Sequence, residues 1–289
     1  MRLSPSFWLV CGTLLLWATV SVFSAESVQL IGLESHIQPA SQLPAVFGNR
    51  EERINIEISG VAVKSASLRA DLFQIAGALA MPLAKDIHLQ EGLTFPNTSP
   101  KRLSISVKFP SVKQRAEVLV RLALVQSGPQ ANPILLESLK FEVFPDSVTK
   151  ELKNLLQPKP DGSVQVVVFG PGDKFRRFLA SLRLPFENAG NGTPDRFDPN
   201  RLYFGELATD EQFQQAQDRS AGACLALFWP DESLPVGVYA DHSNSRVLVH
   251  VTSHVLDNMN NDPRAQLGLI KIIHLLSGQI PPAHRAVNL

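Results

Sequence analysis

The sequence predicts two folded units of different class: an antiparallel β-sandwich of the immunoglobulin-like kind, followed by a flavodoxin-like layered α/β domain. Three observations carry this expectation. Between Ile54 and Val143, apolar residues recur at every second position in several runs separated by turn-forming residues. From Val164 onward, short β-branched runs alternate with stretches of helical periodicity. Between the two patterns stands Pro158-Lys159-Pro160-Asp161-Gly162, which suits neither and reads as a linker. The expected division is therefore a sandwich over 26–157, a linker over 158–163 and an α/β domain over 164–289.

A chain of 289 residues with 44% hydrophobic and 19% charged residues can bury a core in each half. Lys plus Arg equals Asp plus Glu at 27 each, so no overall field draws the chain to nucleic acid or to an anionic membrane surface. Arg2 precedes an apolar stretch from Phe7 to Phe23, and Val22-Phe23-Ser24 or Phe23-Ser24-Ala25 offers small residues for cleavage. Residues 1–25 are thus expected to be a signal peptide or a retained N-terminal membrane anchor. Either places the domains outside the cytoplasm, periplasmic or membrane-anchored, and membrane contact is confined to this segment if it stays uncleaved. Cys11 lies within it and lacks a lipobox, which leaves Cys224 alone and no intramolecular disulfide to form.

Along the sandwich, Ile54, Ile56 and Ile58 alternate with polar neighbours. So do Leu103 to Phe109, Ala116 to Leu124, and Leu139 to Val143. Leu68 to Met81 fits a helix about as well as two strands broken at Gly77, and the all-β surroundings favour strands. After Phe144-Pro145, Asp146 is expected to cap a helix with Val148, Leu152 and Leu155 on one face.

In the second half, Val164 to Phe169 reads as a strand buried on both faces, stopped by Gly170-Pro171-Gly172. Asp173 then caps a helix with Phe175, Phe178, Leu179 and Leu182 inward and Arg176, Arg177 and Arg183 pointing away. Beyond a polar loop over Asn188 to Asp198, Arg201 to Phe204 reads as a short strand. Thr209 with Gln212 makes a capping box for a peripheral helix. Ala223 to Trp229 and Arg246 to Val251 are further strands. Asp262 with Pro263 opens a closing helix whose core face is Leu269, Ile272, Ile273 and Leu276, ended by Gly278.

Ligands of open α/β sheets bind beyond the carboxyl ends of the strands. The groups expected there are Gly170 to Asp173, Gly205-Glu206, Asp231-Glu232 and Ser253-His254. Gly170, Gly172, Asp173, Glu206, Asp241 and His254 are accordingly the candidate ligand-binding residues. The Gly-Pro-Gly-Asp turn lacks both the G-x-G-x-x-G pattern and the lysine and hydroxyl of a P-loop, and Lys174 does not supply them. His242, His250 and His254 have no established metal-ligand spacing, so no metal and no cofactor are expected. Asp173, Glu206 and Asp241 would make a carboxylate pair for glycoside hydrolysis if their strand ends converged.

The order of elements from Val164 to Gly278, with Leu184-Pro185-Phe186-Glu187 and a late strand running into Thr252-Ser253-His254-Val255-Leu256, resembles the class I glutamine amidotransferase-like superfamily, in particular its non-catalytic exported bacterial members, and the resemblance implies an amidotransferase-like layered domain as the alternative to a flavodoxin-like one. The active family needs a G-x-C-x-G elbow and a late His-x-Glu. Cys224 sits among alanines and leucines, and neither His250 nor His254 is followed by the glutamate. The expected function is therefore a non-enzymatic envelope protein that binds or assembles with a protein or carbohydrate partner. The alternative is a hydrolase of carbohydrate or amide with its site at the strand ends.

Overall fold

The alternation in the N-terminal half becomes two antiparallel sheets that face each other. A computed structural model describes residues 27–33, 42–127, 132–220, 223–229, 239–241, 247–252 and 254–278. The expected signal or anchor segment lies outside the described residues, as do Asp231, Glu232, His242 and Ser253. The strands are β1 (Ser27–Leu33), β2 (Ala45–Phe47), β3 (Glu51–Ser59), β4 (Val63–Ala76), β5 (Leu79–Phe95), β6 (Lys101–Lys108), β7 (Ala116–Gln126) and β8 (Ile134–Phe144). One sheet has the order β1-β3-β6 and the other β2-β8-β7-β4-β5, with β2 lying parallel to β8.

Period-two alternation sends one side chain in two inward. Ile54, Ile56 and Ile58 of β3 meet Leu68, Ala70 and Leu72 of β4 and Val118, Val120 and Leu122 of β7 in a single core. The ambiguous segment from Leu68 to Met81 is two strands broken at Gly77: β4 turns back there (φ +61) and Ala76 pairs with Leu79. A two-residue hairpin loop with positive φ at its first position matches the twist of the strands it joins, and glycine takes that φ without a Cβ clash.

On this sheet Asp71 and Arg121 are cross-strand partners 2.6 Å apart, and the guanidinium also lies 4.7 Å from the centroid of the Phe73 ring. The hydrogen bond from Arg121, aided by the backbone N–H of Asp86, holds the Asp71 carboxyl below the usual carboxylate range.

The second half is a parallel sheet covered by helices on both faces. After α1 (Ser147–Leu155) come β9 (Val166–Phe169), α2 (Lys174–Ser181), β10 (Glu187–Asn188), β11 (Leu202–Glu206), α3 (Asp210–Arg219), β12 (Cys224–Trp229), β13 (Tyr239–Asp241), β14 (Val247–Thr252), α4 (His254–Asp257) and α5 (Pro263–Leu276). The sheet order is β10-β9-β11-β12-β14-β13, parallel except for β13. Val166, Val168, Phe204, Phe228 and Val251 point to the face covered by α1, α2 and α5, while Val167, Phe169, Tyr203 and Leu227 point to the face covered by α3.

Several local expectations change in this setting. The short strand expected at Arg201 to Phe204 is present as β11, and it is central, buried along its length between β9 and β12. Helix α3 covers the second face through Ala216 and through Phe213, whose ring meets Trp229 edge-on at 5.0 Å. Asp146 does not cap α1; its backbone is already helical and its carboxylate lies 3.4 Å from Arg50.

Helix α1 precedes the Pro158 to Gly162 segment, yet Val148, Leu152 and Leu156 enter the core of the α/β half, where Phe47 of β2 joins them. The segment itself is a hydrogen-bonded turn, with Gly162 N–H donating to the Lys159 carbonyl at 2.8 Å and Ser163 N–H to the Asp161 carboxylate Oδ1 at 2.8 Å.

Two outcomes are expected. Ile273, 1% exposed on α5, should not tolerate charge: Ile273→Asp removes about 2 kcal/mol of apolar burial and adds an unpaired carboxylate, for a loss of several kcal/mol. Trp229 fluorescence during urea unfolding reports this half, and an unchanged transition would mean that α5 is a surface attachment. The second concerns acid. The folded Asp71 carboxyl titrates below its unfolded value, so its contribution is complete above the unfolded pKa of about 4 and is lost as pH falls through the folded value. Partial exposure limits it to under about 1 kcal/mol. The stability difference between wild type and Asp71→Asn should therefore shrink from about pH 5 to about pH 3; a constant difference would assign it to something other than charge.

Candidate functional site

Helix α2 begins with backbone N–H groups that have no partner within the helix, and a short polar side chain before it ordinarily accepts one of them. Asp173 occupies that position but its side chain makes no capping hydrogen bond; its carboxylate lies 2.9 Å from Arg177 instead. The acceptor comes from another strand. Glu206, the last residue of β11, is 6% exposed and takes the Phe175 N–H on Oε2 at 3.1 Å.

The glycines of the turn follow from this carboxylate. A Cβ on Gly172 would overlap the Glu206 side chain, and one on Gly170, whose φ is +97, would overlap the Glu206 carbonyl. Gly172 N–H also donates to that carbonyl at 3.2 Å. Arg176, expected to point away from the fold, folds back over the turn instead. Its guanidinium donates to the carbonyls of Gly170 at 2.8 Å, Gly190 at 3.1 Å and Gly172. Gly170 N–H completes the knot on the Gly190 carbonyl at 3.0 Å. The turn is thus held by one buried carboxylate, one guanidinium and backbone groups.

The structure brings Gly170, Gly172 and Glu206 into contact and leaves the other candidates apart. Asp173 is exposed beside them. Lys174 pairs with Asp257 of α4 and does not reach into the turn. His254 opens α4 just past β14, at the same sheet edge but two strands from β11, or about 10 Å across. Asp241 falls at the opposite edge. Because β13 runs antiparallel, Asp241 pairs with Leu248 near the start of β14, whereas Glu206 is level with Phe228 and Val251. Three residues along and three strands across separate Asp241 from Glu206 by roughly 17 Å, beyond the spacing that a glycosidase carboxylate pair needs.

Cys224 opens β12 at the amino edge, level with Leu202 and Val247, far from the carboxyl ends where a nucleophile elbow stands. Among the described residues, no three His, Cys, Asp or Glu side chains form a group able to hold a metal ion. No residue pattern marks this position of Arg176, because its partners are main-chain carbonyls of two separate loops.

No family model matches the chain, and no curated protein matches it. Among solved structures, a Niemann-Pick type C2 protein from the Japanese carpenter ant is similar at 7% identity and a TM-score of 0.30, over 41% of this chain and 92% of that one. The sporulation control protein Spo0M from Bacillus subtilis gives 12% identity and a TM-score of 0.29, over 45% of this chain and 54% of that one. The CARDB domain of a Pyrococcus furiosus protein, in complex with di-metal ions, gives 11% and 0.24, over 42% and 94%. Likenesses this low assign neither an activity nor a ligand.

Glu206 should behave as a structural cap. Glu206→Ala leaves the Phe175 amide buried without its acceptor and should cost about 1–3 kcal/mol, while Glu206→Gln, which keeps an acceptor oxygen, should cost less. Urea midpoints combined with hydrogen exchange at the Phe175 amide decide this, and an equally protected amide in Glu206→Ala would show that another group caps α2.

Proposed function

We propose that the chain is an exported, envelope-associated protein without enzymatic activity, acting as a binding or assembly module. In this reading an immunoglobulin-like sandwich is joined to a flavodoxin-like or amidotransferase-like domain. The observation that carries it is the closed strand-end crevice. In doubly wound sheets the ligand sits where the strand order reverses, here between β9 and β11. That position is filled by the chain's own Glu206 carboxylate on the start of α2 and by Arg176 on the carbonyls around it. A reacting group would have to displace both.

Strand order supports the two fold assignments. Counted within its sheet, the parallel part runs second, first, third, fourth, last, the flavodoxin-like order with antiparallel β13 added at the edge. In the first half, β3 lies between β1 and β6, while β7 and β8 pair with each other and β7 with β4, as immunoglobulin-like strands do.

The geometry also suits a spacer. Ser27 pairs with Ser59 at one pole of the sandwich, whereas Phe47 and Phe144 at the other pole lead into the α/β half. The nine residues of β3 span roughly 30 Å between these poles. An N-terminal anchor would therefore enter at the end remote from the α/β half and hold that half off the membrane.

Two measurements test the proposal. The full chain, assayed against chromogenic glycosides and peptide anilides, should show no turnover. Turnover that falls by orders of magnitude in Asp173→Ala or His254→Ala would replace the binding reading with a hydrolase. Alkaline phosphatase fused at the C-terminus, active only outside the cytoplasm, should be active with residues 1–25 present and inactive without them; the reverse would remove export.

A further inference from the structure

Where α5 meets the sandwich, the two halves leave a cleft of about 460 Å³. One wall is a single stripe of α5, Arg264, Leu267, Gly268 and Lys271, spaced at i, i+3, i+4 and i+7. The other wall is the end of the sandwich, with Gln42, Leu43, Arg115, Glu142 and Phe144.

Its charges do not balance. Glu142 is the one carboxylate in the lining, and both its oxygens are engaged: Oε2 lies 2.5 Å from Arg264 and Oε1 3.8 Å from Arg115. Arg264 is committed further, donating to the Leu43 carbonyl at 2.8 Å and to Gln42 Oε1 at 3.0 Å. Its work is to join the halves. The Arg115 side chain is 67% exposed. Lys271 is exposed and has no ion-pair partner among the described residues. Beside these two cations lie the part-exposed side chains of Leu43 and Leu267. A concave site of a few hundred Å³ between the two halves has the size of a small-molecule site, and its lining sets two exposed cations beside a small apolar patch.

We propose that this cleft binds a small organic anion, with its anionic oxygens on Arg115 and Lys271 and its apolar body on Leu43 and Leu267. A phosphate monoester or a carboxylate meets that description, and the shared chemistry is an oxyanion carried on an apolar group. The assignment is independent of the strand-end crevice and of whether the chain is an enzyme. A ligand here touches both halves at once, so its binding also favours the arrangement in which Arg264 bridges them.

Isothermal titration of the full chain with phenyl phosphate, benzoate and inorganic phosphate at low ionic strength tests this. Phenyl phosphate should bind saturably at one site, with affinity falling about tenfold or more in Lys271→Glu, further in the Lys271→Glu/Arg115→Glu double variant, and on adding salt. Both side chains are exposed, and unchanged urea midpoints will show that the variants fold. Inorganic phosphate should bind more weakly than phenyl phosphate, and benzylamine, a cation of similar shape, should not bind. Absence of saturable binding by all three anions up to about 10 mM, or wild-type affinity in the double variant, overturns the site. Equal binding of inorganic phosphate overturns the apolar subsite, and equal binding of benzylamine overturns the anion preference.

Discussion

Helix α5 must be enclosed on more than one side, and much of the molecule's arrangement follows from that. Leu269, Ile272, Ile273 and Leu276 form the expected stripe, but Ile270 and Leu275 beside it are buried as well. A sheet covers one face of such a helix; the remaining apolar surface needs other partners. Helix α1 supplies Val148, Leu152 and Leu156, and Phe47 reaches in from the sandwich. The helix that follows the sandwich in the chain is thereby part of the α/β core, and Arg264 at the start of α5 comes within reach of Glu142. Gln266, 1% exposed, keeps its polar end satisfied by accepting from Thr149 of α1 at 2.8 Å and donating to the Met259 carbonyl at 3.0 Å. The contact between the halves is therefore packing reinforced by hydrogen bonds, and the cleft beside it is what this packing leaves unfilled.

A different constraint shapes the carboxyl edge of the sheet. A helix start attracts negative charge, and its free N–H groups bind anions in many nucleotide proteins. Here the acceptor is Glu206 of the same chain. The carboxylate is affordable in a buried place because Phe175 N–H meets it, and the turn stays tight because Gly170 and Gly172 have no side chains to collide with it. Arg176 performs the complementary task for the carbonyls that the tight turn leaves pointing together. A glycine-rich turn after a strand thus has two uses with one sequence appearance: to admit a ligand, or to admit a neighbouring side chain.

What the sequence determined by itself is what depends on near neighbours. Period-two alternation marked β3, β6, β7 and β8, because a strand sends successive side chains to opposite faces whatever it packs against. Gly77 marked the hairpin. Asp262 and Thr209 marked helix starts and do cap them, accepting from Arg264 N–H at 2.8 Å and Gln212 N–H at 3.3 Å, and Gly278, with φ +71, ends α5. Each rests on groups a few residues apart. Tertiary structure decided the rest. It gave the cap of α2 to Glu206, 31 residues away from Phe175, and left Asp173 to Arg177. It placed Asp241 at the wrong edge, since the direction of an edge strand is set by its pairing with β14 and not by its own residues. It made β11 central, moved α1 into the second core and set Arg115, Glu142 and Lys271 around one cleft. Periodicity tells which side of an element is buried; it does not tell which distant element buries it, and the sites here are made of such distant meetings.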